Sequence, residues 1–203
     1  MLTAQAALER LREGNARFVS RERNSDALTS ETRRRKVAAG QEPFAVILGC
    51  SDSRVPAEIV FDQGLGDLFV IRVAGNIVAP SQIGSVEFAA GAFGPRLVVV
   101  LGHSNCGVIN ATIDELSRRS EEQSRNLRSI VDRVRPSVQA LLATNLERDA
   151  LVQEAVRANI RMSVNQLRHG SEILESQIHK EGLLVVGAEY SLETGIVEFF
   201  EGV

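Results

Sequence analysis

The stretch FAVILGCSDSR, residues 44–54, decides the fold of this chain. Its first half, Phe44 to Leu48, is an apolar run rich in branched side chains. Such a run predicts a strand that is buried on both faces, as strands of parallel sheets are. A second run, Leu97 to Leu101, has the same character and leads into GHSNCG, residues 102–107. If the two strands are neighbours in one sheet, their carboxyl ends meet at the edge where open α/β sheets bind ligands.

The residues that follow the two strands are suited to bind a metal ion. Cys50 and Cys106 are the only cysteines of the chain, and His103 is one of its three histidines. Two thiolates and an imidazole make a zinc site with three protein ligands and one position open for chemistry. A disulfide is less favoured, because a chain of 203 residues buries an adequate core without one. Unrelated buried thiols and a closed structural zinc site are further alternatives, but neither accounts for Asp52 and Arg54 beside Cys50.

Strand and helix patterns alternate along the rest of the chain. Further strands are predicted at Leu68–Val73 and Leu183–Ala188, and an antiparallel edge strand at Ile196–Phe200. Helices are predicted at 30–39, 56–61, 83–93, 105–116 and 171–180, and residues 117–170 are predicted to be helical without a strand. This order predicts a single α/β domain over residues 1–203, with a mostly parallel central sheet flanked by helices.

The N-terminal segment, residues 1–29, is predicted to form a helical arm. Thr3 is suited to cap a helix in which Ala7, Leu8, Leu11 and Phe18 recur at helical spacing. A polar stretch, residues 20–29, joins this helix to the body of the domain. We therefore expect the arm to pack on a partner subunit.

Composition excludes several classes of function. Hydrophobic residues make up 44% and charged residues 24% of the chain, as in ordinary globular proteins. A formal net charge of −3 argues against nucleic acid as the main partner. No apolar stretch approaches the ~20 residues that span a membrane, and no signal-peptide pattern is visible at the N-terminus. Cytoplasmic residence is the expectation, and it agrees with the reduced thiols that zinc binding requires.

The chain resembles the β-class carbonic anhydrases from end to end. The resemblance lies first in CSDSR (50–54) and HSNCG (103–107), the two groups that contain the metal ligands. It extends in order through the segments LERLREGNARF (8–18), FD (61–62), GDLFVIRVAGN (66–76), GSVEFA (84–89) and YSLETGIV (190–197). These motifs are specific, and together they cover nearly the whole chain.

The resemblance implies reversible hydration of carbon dioxide to bicarbonate and a proton by a zinc-bound hydroxide, with one Zn²⁺ per subunit. Zinc held by Cys50, His103 and Cys106 would lower the pKa of its bound water to about 7, as catalytic zinc does. Two thiolates make the metal a weaker Lewis acid, so a neighbouring group should help orient the hydroxide. Asp52 can accept its hydrogen bond, and Arg54 can keep Asp52 ionised. In some family members this carboxylate instead takes the fourth position on zinc, and the sequence leaves both arrangements open.

Four other positions match residues of the family's substrate pocket. Gln41, nine residues before Cys50, is similar to the substrate-oriented glutamine of the plant-type branch. Phe69, Phe88 and Gly107 are expected to form the pocket walls. Ile47 stands where the bicarbonate-regulated branch has tryptophan, and the chain contains no tryptophan. The resemblance therefore implies an enzyme of the plant-type kind, without an inhibitory bicarbonate site.

The family is dimeric at least, with the active site near the subunit interface, so we expect a homodimer or a tetramer made of two dimers. Three other functions stay open. The same fold could hydrolyse carbonyl sulfide or carbon disulfide, or it could serve as a noncatalytic zinc-binding scaffold. A redox role for Cys50 and Cys106 is weak, since the two do not form a Cys-x-x-Cys pair.

Overall fold

The structure, a computed structural model, describes residues 2–22, 28–118 and 124–203, with Arg118 described in its backbone only. Residues 23–27 of the predicted polar connection and residues 119–123 of the predicted helical middle lie outside these ranges.

The five strands of the sheet confirm the predicted architecture. They are β1 (Ala45–Cys50), β2 (Leu68–Val73), β3 (Leu97–His103), β4 (Leu184–Tyr190) and β5 (Val197–Glu201). Their order across the sheet is β2-β1-β3-β4-β5, in which the first four are parallel and β5 is antiparallel to β4. Strands β1, β3 and β4 each end two residues later than predicted, because Cys50 still pairs with Val73 and His103 of β3 still pairs with Tyr190 of β4.

The described helices are α1 (Ala4–Ser20), α2 (Glu31–Val37), α3 (Ala57–Val60), α4 (Pro80–Phe93), α5 (Gly107–Arg118), α6 (Arg125–Gln139), α7 (Arg148–His169) and α8 (Glu172–Glu181), with 3-10 turns at Ala74–Asn76 and Leu141–Ala143. Helix α4 begins three residues before the predicted Ile83 because Pro80 is favourable in a first turn. Helix α5 begins two residues after the predicted start, because Asn105 has a left-handed φ of 53° that a helix does not contain.

Every residue of β1 and β3 is buried, because helices cover both faces of the sheet. Alternate side chains enter two apolar clusters, one on each face. Val46, Leu48, Val98 and Val100 belong to the cluster that includes residues of α4 and α7. The opposite cluster contains Ile47, Leu97 and Val99 together with residues of α1.

The buried face of α1 lies against its own chain. Ala7, Leu8 and Leu11 are at most 1% exposed within the core cluster that contains Ile47. Thr3 caps the helix as expected, because its side chain accepts from the backbone N–H of Ala6. The expected contact of the arm with a partner subunit stays a prediction, and it would involve α1 residues outside this buried face.

Helices in the described ranges are too short or too polar to cross a lipid bilayer.

Candidate metal centre

The three predicted metal ligands come together at one edge of the sheet. Cys50 is the last residue of β1, His103 is the last residue of β3, and these two strands are neighbours. Cys106 precedes the first turn of α5. The chain leaves β1 for β2 on one side and later returns to β3 on the other, so the ligands lie at the switch point of the sheet. The ligand atoms of the three side chains all lie within 4.8 Å of one another, and all three residues are buried.

Hydrogen bonding leaves one imidazole nitrogen of His103 free to bind a metal. Nδ1 lies 2.9 Å from the backbone oxygen of Ser104, and a carbonyl can only accept, so Nδ1 carries the hydrogen. Nε2 has no hydrogen-bond partner among the described residues, although His103 is fully buried. A buried acceptor without a partner is costly. The lone pair of Nε2 is thus oriented as in histidines that bind metal through Nε2.

The two thiols influence each other's ionisation. A hydrogen bond with Cys106 lowers the pKa of Cys50 well below that of an ordinary thiol, even though burial opposes the shift. The same hydrogen bond and burial raise the pKa of the Cys106 thiol, because a second negative charge would lie beside the first. A divalent cation between the sulfurs would remove this repulsion, since zinc ligands bind as thiolates. The donor set therefore fits a metal ion.

Backbone N–H groups support both sulfurs. Those of Ile109 and Val108, in the first turn of α5, act to lower the pKa of Cys106, which agrees with the predicted effect of a helix N-terminus. The N–H of Gly75 donates to Sγ of Cys50 at 3.4 Å. Sequence reasoning missed Gly75, because the two residues are 25 positions apart.

Asp52 and Arg54 form a two-pronged ion pair at the rim of the cluster. Nε and Nη2 of Arg54 lie 2.9 Å and 2.8 Å from Oδ1 and Oδ2 of Asp52. The backbone N–H of Arg54 donates to Oδ1 as well. These hydrogen bonds hold the pKa of Asp52 well below its usual range. Oδ2 also lies 3.8 Å from Nε2 of His103, so the carboxylate faces the metal ligands.

Arg72 fixes the loop that carries Cys50 and Asp52. Its guanidinium donates to the backbone oxygen of Cys50 at 3.2 Å and to that of Asp52 at 2.7 Å. Sequence reasoning missed this structural role of Arg72. The signal in the sequence was a lone charge within the apolar strand pattern of residues 68–73.

The predicted pocket residues are divided between two edges of the sheet. Gly107 directly follows Cys106, and open space lies where its side chain would begin. Gln41 precedes the amino end of β1, and Phe69 pairs with Val46 near that same end. Phe88 on α4 contacts Phe69, with ring centroids 6.2 Å apart. Within one chain, Gln41, Phe69 and Phe88 are therefore separated from the metal ligands, and their pocket roles stay predictions.

Three comparisons place the chain among known proteins. The family model described as carbonic anhydrase matches residues 45–197. Carbonic anhydrase 2 of Mycobacterium tuberculosis is 40% identical over 190 residues, which cover 94% of this chain and 89% of that protein. The structure of the β-carbonic anhydrase CcaA superposes with a TM-score of 0.73 at 26% identity, over 97% of this chain and 92% of that one.

A likeness of fold alone links the chain to a further structure. A tetrameric β-carbonic anhydrase of the ascomycete Sordaria macrospora superposes with a TM-score of 0.72 at 24% identity, over 82% of this chain and 85% of that one.

Proposed function

The chain belongs to the β-class carbonic anhydrases, which hydrate carbon dioxide, and we propose that it does so with a zinc ion held by Cys50, His103 and Cys106. The observation that carries this proposal is the buried cluster of three ligand atoms within 4.8 Å, one of them Nε2 of His103, for which the described parts of the chain offer no hydrogen-bond partner. Soft thiolates with an imidazole favour zinc over the hard cations magnesium and calcium, which prefer oxygen ligands. Zinc bound there supplies a Lewis acid that eases the loss of a proton from water, to a pKa near 7 in the carbonic anhydrases with three histidine ligands.

Asp52 is proposed to orient the attacking water. An ionised carboxylate can only accept hydrogen bonds, so a water beside Oδ2 must point a hydrogen at it and turn a lone pair towards carbon dioxide. The pKa of Asp52 is well below its usual range, so the carboxylate is ionised over the working pH range. Asp52 is accordingly not the final proton acceptor, and the proton released by hydration leaves to buffer.

Arg54 is proposed to restrain Asp52. Both carboxylate oxygens already accept from its guanidinium, and movement of Asp52 into the fourth position on zinc would disturb these bonds. The pair thereby supports the arrangement in which water keeps that position. Asp52 as a fourth ligand remains the competing arrangement.

Gln41, Phe69 and Phe88 are proposed to reach the metal centre of a partner subunit. Phe69 pairs with Val46, four residues before Cys50, which at ~3.3 Å per residue corresponds to about 13 Å along the strand. Phe88 is 58% exposed, and subunit contacts commonly bury large apolar side chains of this kind. A homodimer would bring the two edges together, and the tetrameric Sordaria enzyme supports a further pairing of dimers.

Cytoplasmic residence stays part of the proposal. Both cysteines are free thiols in the structure, as zinc ligation in a reducing compartment requires.

The substitution Asp52→Asn tests the proposed mechanism. It keeps the shape of the side chain but removes the charge, so zinc should remain at about one per subunit. We expect stopped-flow carbon dioxide hydration to fall about 10²–10³-fold, the usual cost of losing a positioned polar group at the reaction centre. The matched control is Asp132→Asn, which alters a surface Asp–Arg pair on α6.

Two outcomes would overturn this proposal. Full turnover of Asp52→Asn would remove the carboxylate from the mechanism. If the zinc-loaded wild-type protein leaves carbon dioxide unreacted but hydrolyses carbonyl sulfide, the proposed substrate is wrong. If it reacts with neither compound, the proposed catalytic role is wrong.

A further inference from the structure

The turn between β2 and α4 adopts an unusual backbone next to the metal ligands. Gly75 and Asn76 have φ angles of 73° and 41°, in the left-handed region that costs non-glycine residues free energy. Asn76 is 2% exposed, and its Nδ2 has no hydrogen-bond partner among the described residues. Unfavourable backbone of this kind persists only where the surrounding structure enforces it, and it concentrates at functional sites.

Two buried polar residues of α7 hold this turn. Nδ2 of Asn159 donates to the backbone oxygen of Gly75 at 2.8 Å, and Oγ of Ser163 donates to that of Asn76 at 3.0 Å. Both residues are 2% exposed. They are four positions apart and therefore lie on the same face of the helix.

Glycines in the sheet allow α7 to come this close. A Cβ atom at Gly102 would lie 2.5 Å from Cδ1 of Ile160, and one at Gly187 would lie 2.7 Å from its Cγ2. Ile160 directly follows Asn159, so the same close packing that seats Ile160 on β3 and β4 places Asn159 against the turn.

We propose that Asn159 and Ser163 are positioning residues for the metal centre, acting through the turn at Gly75 and Asn76. The turn directs the N–H of Gly75 at Sγ of Cys50, 3.4 Å away. The two α7 side chains fix the two peptide groups that directly follow that contact, Gly75–Asn76 and Asn76–Ile77. This inference rests on the proposed function, because it gives Cys50 the role of a zinc ligand.

An N–H donor on a ligating thiolate has two physical effects. It fixes the direction in which the sulfur presents its lone pairs, and it withdraws electron density from the sulfur. Hydrogen bonds to metal ligands from outside the coordination sphere commonly change metal affinity by about 10–100-fold when they are removed. Loss of the α7 contacts should therefore weaken metal binding even though neither residue touches the ion.

The test measures metal binding by the full-length protein, with zinc and cobalt(II) as the probes. For Asn159→Ala we expect about a 10–100-fold weaker zinc affinity in chelator competition. In the cobalt(II) protein the sulfur-to-metal charge-transfer band should move to longer wavelength, because the Gly75 N–H is then less well directed at the sulfur, and a sulfur with a weaker hydrogen bond is more electron-rich. Ser163→Ala should change the zinc affinity and the band position in the same directions as Asn159→Ala, but by smaller amounts. Ser163→Thr retains the hydroxyl group and should give the wild-type affinity and band position.

Two matched controls separate this role from loss of packing. Asn165→Ala removes an exposed amide from the same helix. Ser137→Ala removes a buried hydroxyl of α6 that has no hydrogen-bond partner among the described residues. Neither should change the affinity or the band.

The outcomes are distinguishable. If Asn159→Ala and Ser163→Ala fold, as judged by circular dichroism, and keep both the zinc affinity and the band position, the inference is wrong. If Asn159→Ala does not fold, the Ser163→Ala and Ser163→Thr pair decides. If the wild-type protein itself binds neither metal, the proposed function fails first.

Discussion

At the scale of single residues, Arg54 decides what Asp52 can do. Its guanidinium accounts for the low pKa of the carboxylate and also fixes its direction through two side-chain hydrogen bonds. The ordinary pKa of an aspartate shows which of these two effects of Arg54 matters at neutral pH. An ordinary aspartate has a pKa of about 3.9 and is protonated to the order of 0.1% at pH 7. Removing Arg54 would therefore leave Asp52 ionised at neutral pH and would change only its position.

The substitution Arg54→Gln is expected to lower turnover through misplacement of Asp52. We predict a loss of about 10–100-fold in kcat for carbon dioxide hydration at pH 7–9, the scale of a misplacement of about 1 Å. Zinc content should stay unchanged. Stopped-flow kinetics with metal analysis checks this, with Arg135→Gln as the control because Arg135 pairs with Asp132 on the surface. An unaltered kcat would show that Arg54 does not restrain the carboxylate.

At the scale of elements, the sheet carries the candidate metal ligands and α7 contacts the turn beside them. The parallel pair β1 and β3 brings two ligands to one edge, and α7 supports the neighbouring turn from one face. Helix α7 is also tied to the sheet edge by charge. Arg157 pairs with Glu198 through two hydrogen bonds of 2.9 Å and lies 3.4 Å from Glu189 on β4.

Glu189 is the member of this ion-pair group whose burial lowers the stability of the folded protein. Its side chain is 11% exposed, and burial raises its pKa although Arg157 opposes the shift. A carboxyl whose pKa is raised by folding favours the folded state at low pH and costs stability once pH exceeds both its unfolded and its folded pKa. The cost should therefore be present at pH 7.

Glu189→Gln is predicted to raise Tm at pH 7 and to raise it less at pH 5. In a chain of this length, each kcal/mol gained corresponds to about 2–4 °C. Arg157 keeps its two hydrogen bonds to Glu198, so no buried cation is left unpaired. Calorimetry at both pH values measures the effect, with the exposed Glu193→Gln as the control. A lower Tm at pH 7 would mean that the Arg157 attraction exceeds the cost of burial.

At the scale of the whole molecule, the residues assigned to the reaction lie at two different edges of the sheet. The metal ligands occupy the carboxyl edge of the sheet, whereas Gln41 and Phe69 lie at its amino edge. A dimer that joins unlike edges would complete each site with residues from both subunits.

Subunit complementation tests this arrangement. Subunits with Gln41→Ala retain the metal ligands, and subunits with Cys50→Ser retain Gln41. If Gln41 acts across the interface, co-expressed hybrid dimers contain one complete site, and their carbon dioxide hydration per dimer exceeds the mean of the two parent dimers. Activity equal to that mean would place Gln41 in its own subunit's site or outside the reaction. The double variant Gln41→Ala, Cys50→Ser, paired with Gln41→Ala, is the control that should restore nothing.

Sequence patterns predicted the features that depend on local order. The continuous apolar runs of β1 and β3 are unambiguous, and parallel pairing then requires that Cys50 and His103 meet. The contacts that support them could not be predicted in the same way. Gly75 reaches Cys50 across 25 positions, and Asn159 reaches Gly75 across 84, so no periodic pattern connects them. The helical spacing of apolar residues correctly predicted the buried face of α1. That spacing cannot predict whether the same chain or a partner subunit packs against this face.

The central claim is that Cys50, His103 and Cys106 hold a zinc ion whose remaining neighbour is an oxygen. X-ray absorption at the zinc edge of the purified protein tests it most directly. The account predicts two sulfur neighbours at about 2.3 Å, one imidazole nitrogen at about 2.0–2.1 Å and one further oxygen. Zinc surrounded by oxygen and nitrogen alone, or by four protein sulfur and imidazole ligands without an oxygen, would contradict it.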